Sequence, residues 1–437
     1  MRFLTSESIG VLNSMSKKMT QRLYYYFAVF MAFLMVASVI LPSIAQNVTQ
    51  SQQLATALTP VPTNTAVPPT FPAPISDFAS IAFEEDYLHP SGLFYLNIPT
   101  GWSVSNNVNN SRQAQVSLNS TTTSSVIEVY IERPATPVTS PEEVSGLYTS
   151  GTLAGSWNRY DSWREAGERR YVDDRVVIDF VLSRQGQDYF AQHTAWTDGN
   201  LVYVVRVVAP SNARDLMFWL SETMPTKFHV LEQYITSPLG WTGNYNQLTT
   251  TFIRYPSSWR VLDGGIGRPI TTGAEDGTAV VVNTTDGAIA DEATAREFVT
   301  GLRRNIEIVS VEEVTRTGAT GFSVAYKFFT PDGEERNGLA VLLNGADGKL
   351  HTAVGQVNRG GADLNSDQGR AQFFDLTTAL DTFSLLTGIN LPALPQPTPA
   401  PTLVPATSVP TPEATTEMTP EAESPVVEVT SEATPSN

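Results

Sequence analysis

Ile98-Pro99-Thr100-Gly101-Trp102 and Tyr255-Pro256-Ser257-Ser258-Trp259 are two copies of one pattern, P-x-x-W at the end of a short apolar run. In the first copy Phe94, Leu96 and Ile98 alternate before the proline; in the second, Phe252-Ile253-Arg254-Tyr255 takes the same place. Proline ends a strand and opens a turn, and tryptophan then returns apolar bulk to the core, so each motif reads as a structural corner. The copies lie roughly 155 residues apart, too long for a solenoid repeat and right for tandem domains.

The two copies continue in the same order. Ile127, Val129 and Ile131 alternate with Glu128, Tyr130 and Glu132, which predicts a strand with one solvated face, and Ala279-Val280-Val281-Val282 is its counterpart. A helix follows in each. Ser140-Pro141-Glu142-Glu143 supplies an N-cap, an N1 proline and a capping glutamate, and Asp291 caps a helix whose Ala295, Phe298, Val299, Leu302 and Ile306 share a face. Hairpins are then marked by Gln185-Gly186-Gln187, Asp198-Gly199-Asn200, Pro331-Asp332-Gly333 and Ala346-Asp347-Gly348, because glycine accepts the positive φ of a tight turn. Each copy closes on an amphipathic helix: Ala213, Leu216, Met217, Leu220 and Met224 in one, Phe373, Leu376, Leu380 and Phe383 in the other. The expected fold class is α+β: two tandem repeats, each an antiparallel β-sheet packed by helices.

The strand ending in P-x-x-W, the following helix, the antiparallel run and the closing helix resemble PsbP-like domains, named after an extrinsic protein of the oxygen-evolving complex. The resemblance covers residues 79–233 and 240–390. It implies an αβα sandwich in each repeat and a family that is exported or lumenal, non-enzymatic and adaptor-like. It carries over no functional residue, because no position matches a metal or docking motif.

Outside the repeats the chain changes character. Lys17, Lys18 and Arg22 precede an apolar run over residues 23–41, followed by Pro42 and the small-residue pattern Ser43-Ile44-Ala45. Residues 1–45 therefore read as a signal peptide or an N-terminal transmembrane anchor. Both readings put the rest of the chain outside, since no Lys or Arg follows the run until Arg112. Membrane contact is expected only through residues 23–41. Residues 46–78 are a Pro/Thr/Gln-rich linker and residues 391–437 an acidic Pro/Thr-rich tail, both expected to be disordered, leaving residues 79–236 and 237–390 as the repeats, each expected to fold on its own.

Composition narrows the chemistry. A formal charge of −17 argues against a nucleic-acid partner, which needs clustered Lys and Arg. With no cysteine, the chain has no disulfide, thiolate nucleophile or Cys-ligated metal. His89, His193, His229 and His351 are scattered singly, and the strand histidines His193 and His351 are expected to face solvent. Gly264-Gly265-Ile266-Gly267 lacks the Lys-Ser/Thr of a phosphate loop. The paired acids Asp173-Asp174 and Glu312-Glu313 sit near expected strand starts, where neighbours point to opposite faces instead of facing each other as a glycosidase pair must. No catalytic, cofactor or metal residue is assigned, and no cofactor is expected. The candidate ligand-binding residues are Trp157, Tyr160 and Trp163, spaced W-x-x-Y-x-x-W; such rings stack on sugar faces or pack onto their own sheet.

The expected function is an extracytoplasmic binding or scaffold protein whose partner is an envelope protein or a polysaccharide. Two alternatives stand beside it: a carbohydrate-binding surface protein using the repeat-1 aromatics, and a hydrolase with an unrecognised site. The compartment is directly testable. If the apolar run is a cleaved signal, N-terminal sequencing starts at Gln46 and a bulky residue at Ala45 blocks processing; if it is an anchor, the full-length chain fractionates with membranes. Both repeats protected from external protease in intact cells would overturn export altogether.

Overall fold

The computed structural model describes residues 71, 73–74, 76–264 and 268–393. The apolar run, most of the linker and nearly all of the tail lie outside these residues, as do three residues of the glycine-rich segment, 265–267. Among the described residues no helix is long and apolar enough to cross a membrane.

Repeat 1 opens with β1 (Glu85–Leu88) and β2 (Phe94–Ile98), then β3 (Ser103–Asn109), β4 (Gln113–Ser120) and β5 (Ser125–Glu132). Two short helices follow, α1 (Pro141–Leu147) and α2 (Ser150–Ser156), then β6 (Ser162–Glu165), β7 (Arg170–Val172), β8 (Arg175–Arg184), β9 (Gln187–Thr197) and β10 (Val202–Pro210). The closing helix α3 (Arg214–Lys227) leads into β11 (Phe228–Val230). The main sheet runs β3-β4-β5-β10-β9-β8-β6, with β7 also on β8, and a separate small sheet runs β1-β2-β11. All pairings are antiparallel.

Repeat 2 repeats this plan with fewer parts. Its strands are β12 (Thr242–Tyr245), β13 (Thr251–Tyr255), β14 (Arg260–Asp263), β15 (Ile270–Gly273) and β16 (Ala279–Asp286). One helix, α4 (Glu292–Leu302), precedes β17 (Ile306–Arg316), β18 (Ala319–Phe329), β19 (Glu335–Gly345) and β20 (Lys349–Gln356). Helices α5 (Asp367–Gln372) and α6 (Phe374–Asp381) and strand β21 (Ser384–Leu385) close it. The sheets run β14-β15-β16-β20-β19-β18-β17 and β12-β13-β21.

The caps read from the sequence form as bonds: Ser140 Oγ accepts from the Glu143 amide, and Asp291 and Thr294 make a reciprocal capping box. Helix α4 ends one turn short of the expected stripe, because Ile306 already begins β17. The closing helix of repeat 2 is broken into α5 and α6 around Phe373. Asp173 has φ 53° in the turn between β7 and β8, and so lies outside a strand.

The main sheet of repeat 1 is buried on both faces. One face packs on the small sheet and α3, through Val116, Leu118, Ile127, Val129, Leu216 and Leu220. The other packs under α1 and α2, through Val144, Leu153, Trp157, Ile178, Phe180 and Val204. The face carrying Glu128, Tyr130 and Glu132 is therefore covered, not solvated as the alternation suggested: Glu128 is 3% exposed. An alternating strand shows that its faces differ in polarity, but only the helices that return over it decide which face is wet.

The repeats meet across β13, which is buried on both sides. Ile253 and Tyr255 point into the repeat-2 core, while Phe252 packs into the core of repeat 1. Arg254, fully buried, points the same way as Phe252. Its Nε donates to the Ser91 carbonyl at 2.7 Å, its Nη1 to the Tyr234 carbonyl at 3.1 Å and to Ser237 Oγ, and its Nη2 to the Pro238 carbonyl at 2.9 Å. Burial lowers the Arg254 pKa to about 9, still high enough to keep the charge at neutral pH. Beside it Gly92 and Gly243 touch backbone to backbone. A Cβ on Gly92, which has φ +67°, would sit 2.2 Å from the Phe252 ring. Farther along the seam Asn390 exchanges backbone and side-chain bonds with Asp86 and Glu84.

Arg254→Met keeps an unbranched side chain but removes the guanidinium and strands the Ser91, Tyr234 and Pro238 carbonyls, so the intact chain should lose about 3 kcal/mol of stability in urea melts. Separated residues 76–236 and 240–391 should each melt below the intact chain, because the first loses Phe252 and Arg254 and the second exposes them. An Arg254→Met chain as stable as the parent would show that the seam contributes nothing.

Candidate functional site

Three places carry enough chemistry to be considered: a cleft between the repeats, a buried ionic cluster in repeat 1, and an open groove on repeat 2.

The cleft has a volume of about 650 Å³ and is made by both repeats. Strand β1 contributes Glu85, Asp86 and Tyr87, the first P-x-x-W corner contributes Pro99 and Trp102, and repeat 2 contributes Tyr245 and Gln247. The two corners thus diverge. Trp259 is 7% exposed in the repeat-2 core, whereas Trp102 is only half-buried and gives one side to the cleft. Tyr245 donates its hydroxyl to the Leu386 carbonyl at 3.1 Å, and Gln247 donates to the Leu391 carbonyl at 3.2 Å, which fixes the C-terminal stretch as one wall. Tyr87 donates to Asn107 Oδ1 at 2.6 Å, and burial raises its pKa to about 12. Glu84 and Glu85 are exposed at the rim. The result is a concave surface of rings with an anionic lip.

In repeat 1, Glu128 on β5 and Arg206 on β10 are cross-strand neighbours, 2.9 Å apart at their charged ends. Arg159 reaches the other Glu128 oxygen from the loop after α2. Arg206 also donates to the Tyr130 hydroxyl at 3.2 Å and to His193 Nδ1 at 3.3 Å, and lies 4.7 Å from the Trp157 ring centre. Because Nδ1 accepts, the His193 proton sits on Nε2, which has no partner among the described residues, as has Trp157 Nε1. Burial first, then Arg206 and Arg169, hold the His193 pKa well below its ordinary value. Burial raises the Glu132 pKa, against a bond from the Tyr148 hydroxyl. The cluster lies under α1 and α2, with Arg159 at its exposed edge, and acts as a polar core. Sequence reading missed it because Glu128 looked like a solvated position; the available signal was an Arg in the otherwise apolar run of β10.

The sequence candidates are brought together around Phe180. Trp157 is 1% exposed, its ring 5.0 Å from Phe180 and 5.9 Å from Tyr160. Trp163 is half-buried, 6.3 Å from the same Phe180, and Tyr160 is half-buried against Tyr189 at 5.7 Å. The histidines require a correction. His193 and His351 are both 0% exposed, not solvent-facing, because α1 packs over one and a carboxylate turn over the other. His351 Nε2 meets Asp347 at 3.2 Å and its Nδ1 meets Thr284 Oγ1 at 3.0 Å; Gly345 leaves room for the ring. His89 is also buried, between Ser91 Oγ at 2.8 Å and the Gln115 carbonyl at 3.0 Å. Among the described residues no group of His, Asp and Glu is arranged to hold a metal.

The groove lies on the outer face of the repeat-2 sheet and has a volume of about 540 Å³. In repeat 1 that face is roofed by two helices; in repeat 2 the single helix α4 packs mainly on β17 and β18. Beyond it Val281 on β16 is 38% exposed, and Leu302 at the end of α4 is 43% exposed.

The buried histidines set a pH dependence. Burial lowers the His89 pKa from 6.5 to about 4, so the unfolded chain binds the proton first as pH falls. Stability is full above about pH 6.5 and is lost on the way down to about pH 4, by about 3 kcal/mol for His89 alone, with His193 adding in the same direction. Urea melts at pH 7.5 and 4.5 should show a smaller drop for His89→Gln than for the parent; equal drops would remove His89 from the account.

No family model matches the chain, and no curated protein matches it. Among solved structures it is similar to the solution structure of cyanobacterial PsbP (CyanoP) from Synechocystis sp. PCC 6803, at 14% identity and a TM-score of 0.25, over 33% of this chain and 91% of that one. It is also similar to the apo structure of the T6SS immunity protein TplEi from Pseudomonas aeruginosa, at 12% identity and a TM-score of 0.21, over 65% of this chain and 97% of that one. A third is the Tle4–Tli4 complex, at 12% identity and a TM-score of 0.20, over 65% and 98% of the respective chains. The PsbP-like resemblance read from the sequence thus recurs among solved structures, as a likeness of fold.

Proposed function

We propose that this chain is an exported binding or scaffold protein that holds an extended segment of an envelope protein in the cleft between its repeats. The observation that carries the reading is that the cleft is assembled from both repeats and the C-terminal stretch, so that neither repeat could offer it alone. Ligand sites favour such junctions, and half-buried Trp and Tyr rings are the side chains most often responsible for affinity. Glu84 and Glu85 at the rim favour a segment carrying Lys or Arg.

A second reading, a saccharide strand in the same cleft, is favoured by Trp102 and Tyr245 standing beside carboxylates, since rings stack on sugar faces. The repeat-1 aromatics serve it less well: both sides of Trp157 are occupied, and Tyr160 and Trp163 are only half-exposed, packed on Tyr189 and Phe180.

Trp102→Ala with Tyr245→Ala should weaken capture of the partner from envelope extracts at least tenfold, and Glu85→Lys should weaken a basic polypeptide but not a neutral glycan. A glycan array that binds the parent and fails with the double variant selects the saccharide reading. Capture unchanged in the double variant would remove the cleft as the site.

A further inference from the structure

The groove on repeat 2 is independent of the inter-repeat cleft and has a different chemistry. Its floor is the outer face of β16 and β20, where the central cross-strand neighbours are Val281 and Val354, flanked by Ala279 with Gln356 and by Asn283 with Thr352; on the same face of repeat 1 the neighbours on β5 and β10 include the ion pair Glu128 and Arg206. One wall is α4 with Leu302, the end is closed by Ile306 and Phe328, and Arg303 is the one charged residue of the lining. Its guanidinium lies 4.4 Å from the Phe328 ring centre. Neither Arg303 nor its neighbour Arg304 forms an ion pair with a described residue, although both are exposed in a strongly acidic chain.

Shape and hydrogen bonding decide the occupant. From Ala279 to Thr285 the floor runs about 20 Å along β16. A volume of about 540 Å³ drawn out over that length suits a slender, extended occupant. An extended peptide is disfavoured by hydrogen bonding. Strands β15, β16 and β20 are paired on both edges, so they have no free backbone groups for a peptide's amides. A hydrocarbon chain needs none.

We infer that this groove binds a long-chain fatty acid, its chain along Val281 and Val354 and its carboxylate on the Arg303 guanidinium. Arginine's planar fork suits a carboxylate, and stacking on Phe328 orders it.

The test is titration of the full chain with palmitate below its micelle-forming concentration, read by calorimetry and by displacement of a fluorescent fatty acid. The residue 23–41 run contributes equally to every variant, so the informative signal is the saturable component that changes. Val281→Trp, which fills the floor, should abolish that component, and Leu302→Asp, on an exposed helix position, should do the same if the tryptophan disturbs folding. Arg303→Glu should weaken palmitate at least tenfold while leaving hexadecanol unchanged. Trp102→Ala with Tyr245→Ala should leave palmitate binding intact. Palmitate affinity equal in all variants, absence of a saturable component, or a polypeptide held on this face that palmitate cannot displace would each overturn the inference.

Discussion

A guanidinium with no carboxylate beside it holds the two repeats in register. Arg254 leaves water entirely and is compensated by three backbone carbonyls and one hydroxyl, all from the segments Ser91 and 234–238 of the first repeat and its connection to the second. Such a charge is costly to bury and strongly directional once buried, because each donor must find its acceptor. The strand that carries it has no solvated side: alternate residues serve two different cores. The close approach of Gly92 and Gly243, the Tyr234–Ser384 hydroxyl pair and the Asn390 bonds to β1 follow from that docking. So does the cleft, whose walls come from opposite sides of the seam.

Duplication supplied two similar sheets, and what was laid over them diverged. In repeat 1 two capped helices and an aromatic loop close the outer face, and the polar side chains trapped beneath them form a hydrogen-bonded cluster around Arg206. In repeat 2 a single helix lies over the β17–β18 side and leaves Val281 exposed and Val354 half-buried. A buried ion pair needs a roof to exclude water and partners to satisfy it, whereas an apolar floor without a roof stays available to a ligand. The same architecture thus gives one sheet covered on both faces and one whose outer face is partly open.

How much of this was legible in the residues depended on range. Ser140, Asp291 and the Asp-Gly turns act on backbone groups within four residues, and they formed as read. The P-x-x-W spacing disclosed the duplication, and periodicity disclosed the strands and helices. The candidate rings Trp157, Tyr160 and Trp163 are neighbours in space, yet their spacing could not say that Phe180 and Arg206 would take the faces of Trp157. Nor did any pattern mark Arg254, a lone cation in a short strand, as the centre of an interface.

By itself, the sequence determined the local structure: where strands turn, where helices start, and that one α+β unit occurs twice, because these depend on backbone propensities and on contacts a few residues apart. Only the tertiary structure decided which faces are wet. Burial of Glu128, His193 and His351, exposure of Val281, and the meeting of Trp102 with Tyr245 are set by elements distant in the chain that cover a surface or leave it bare. Coverage is a property of the packed molecule, and no residue carries it alone.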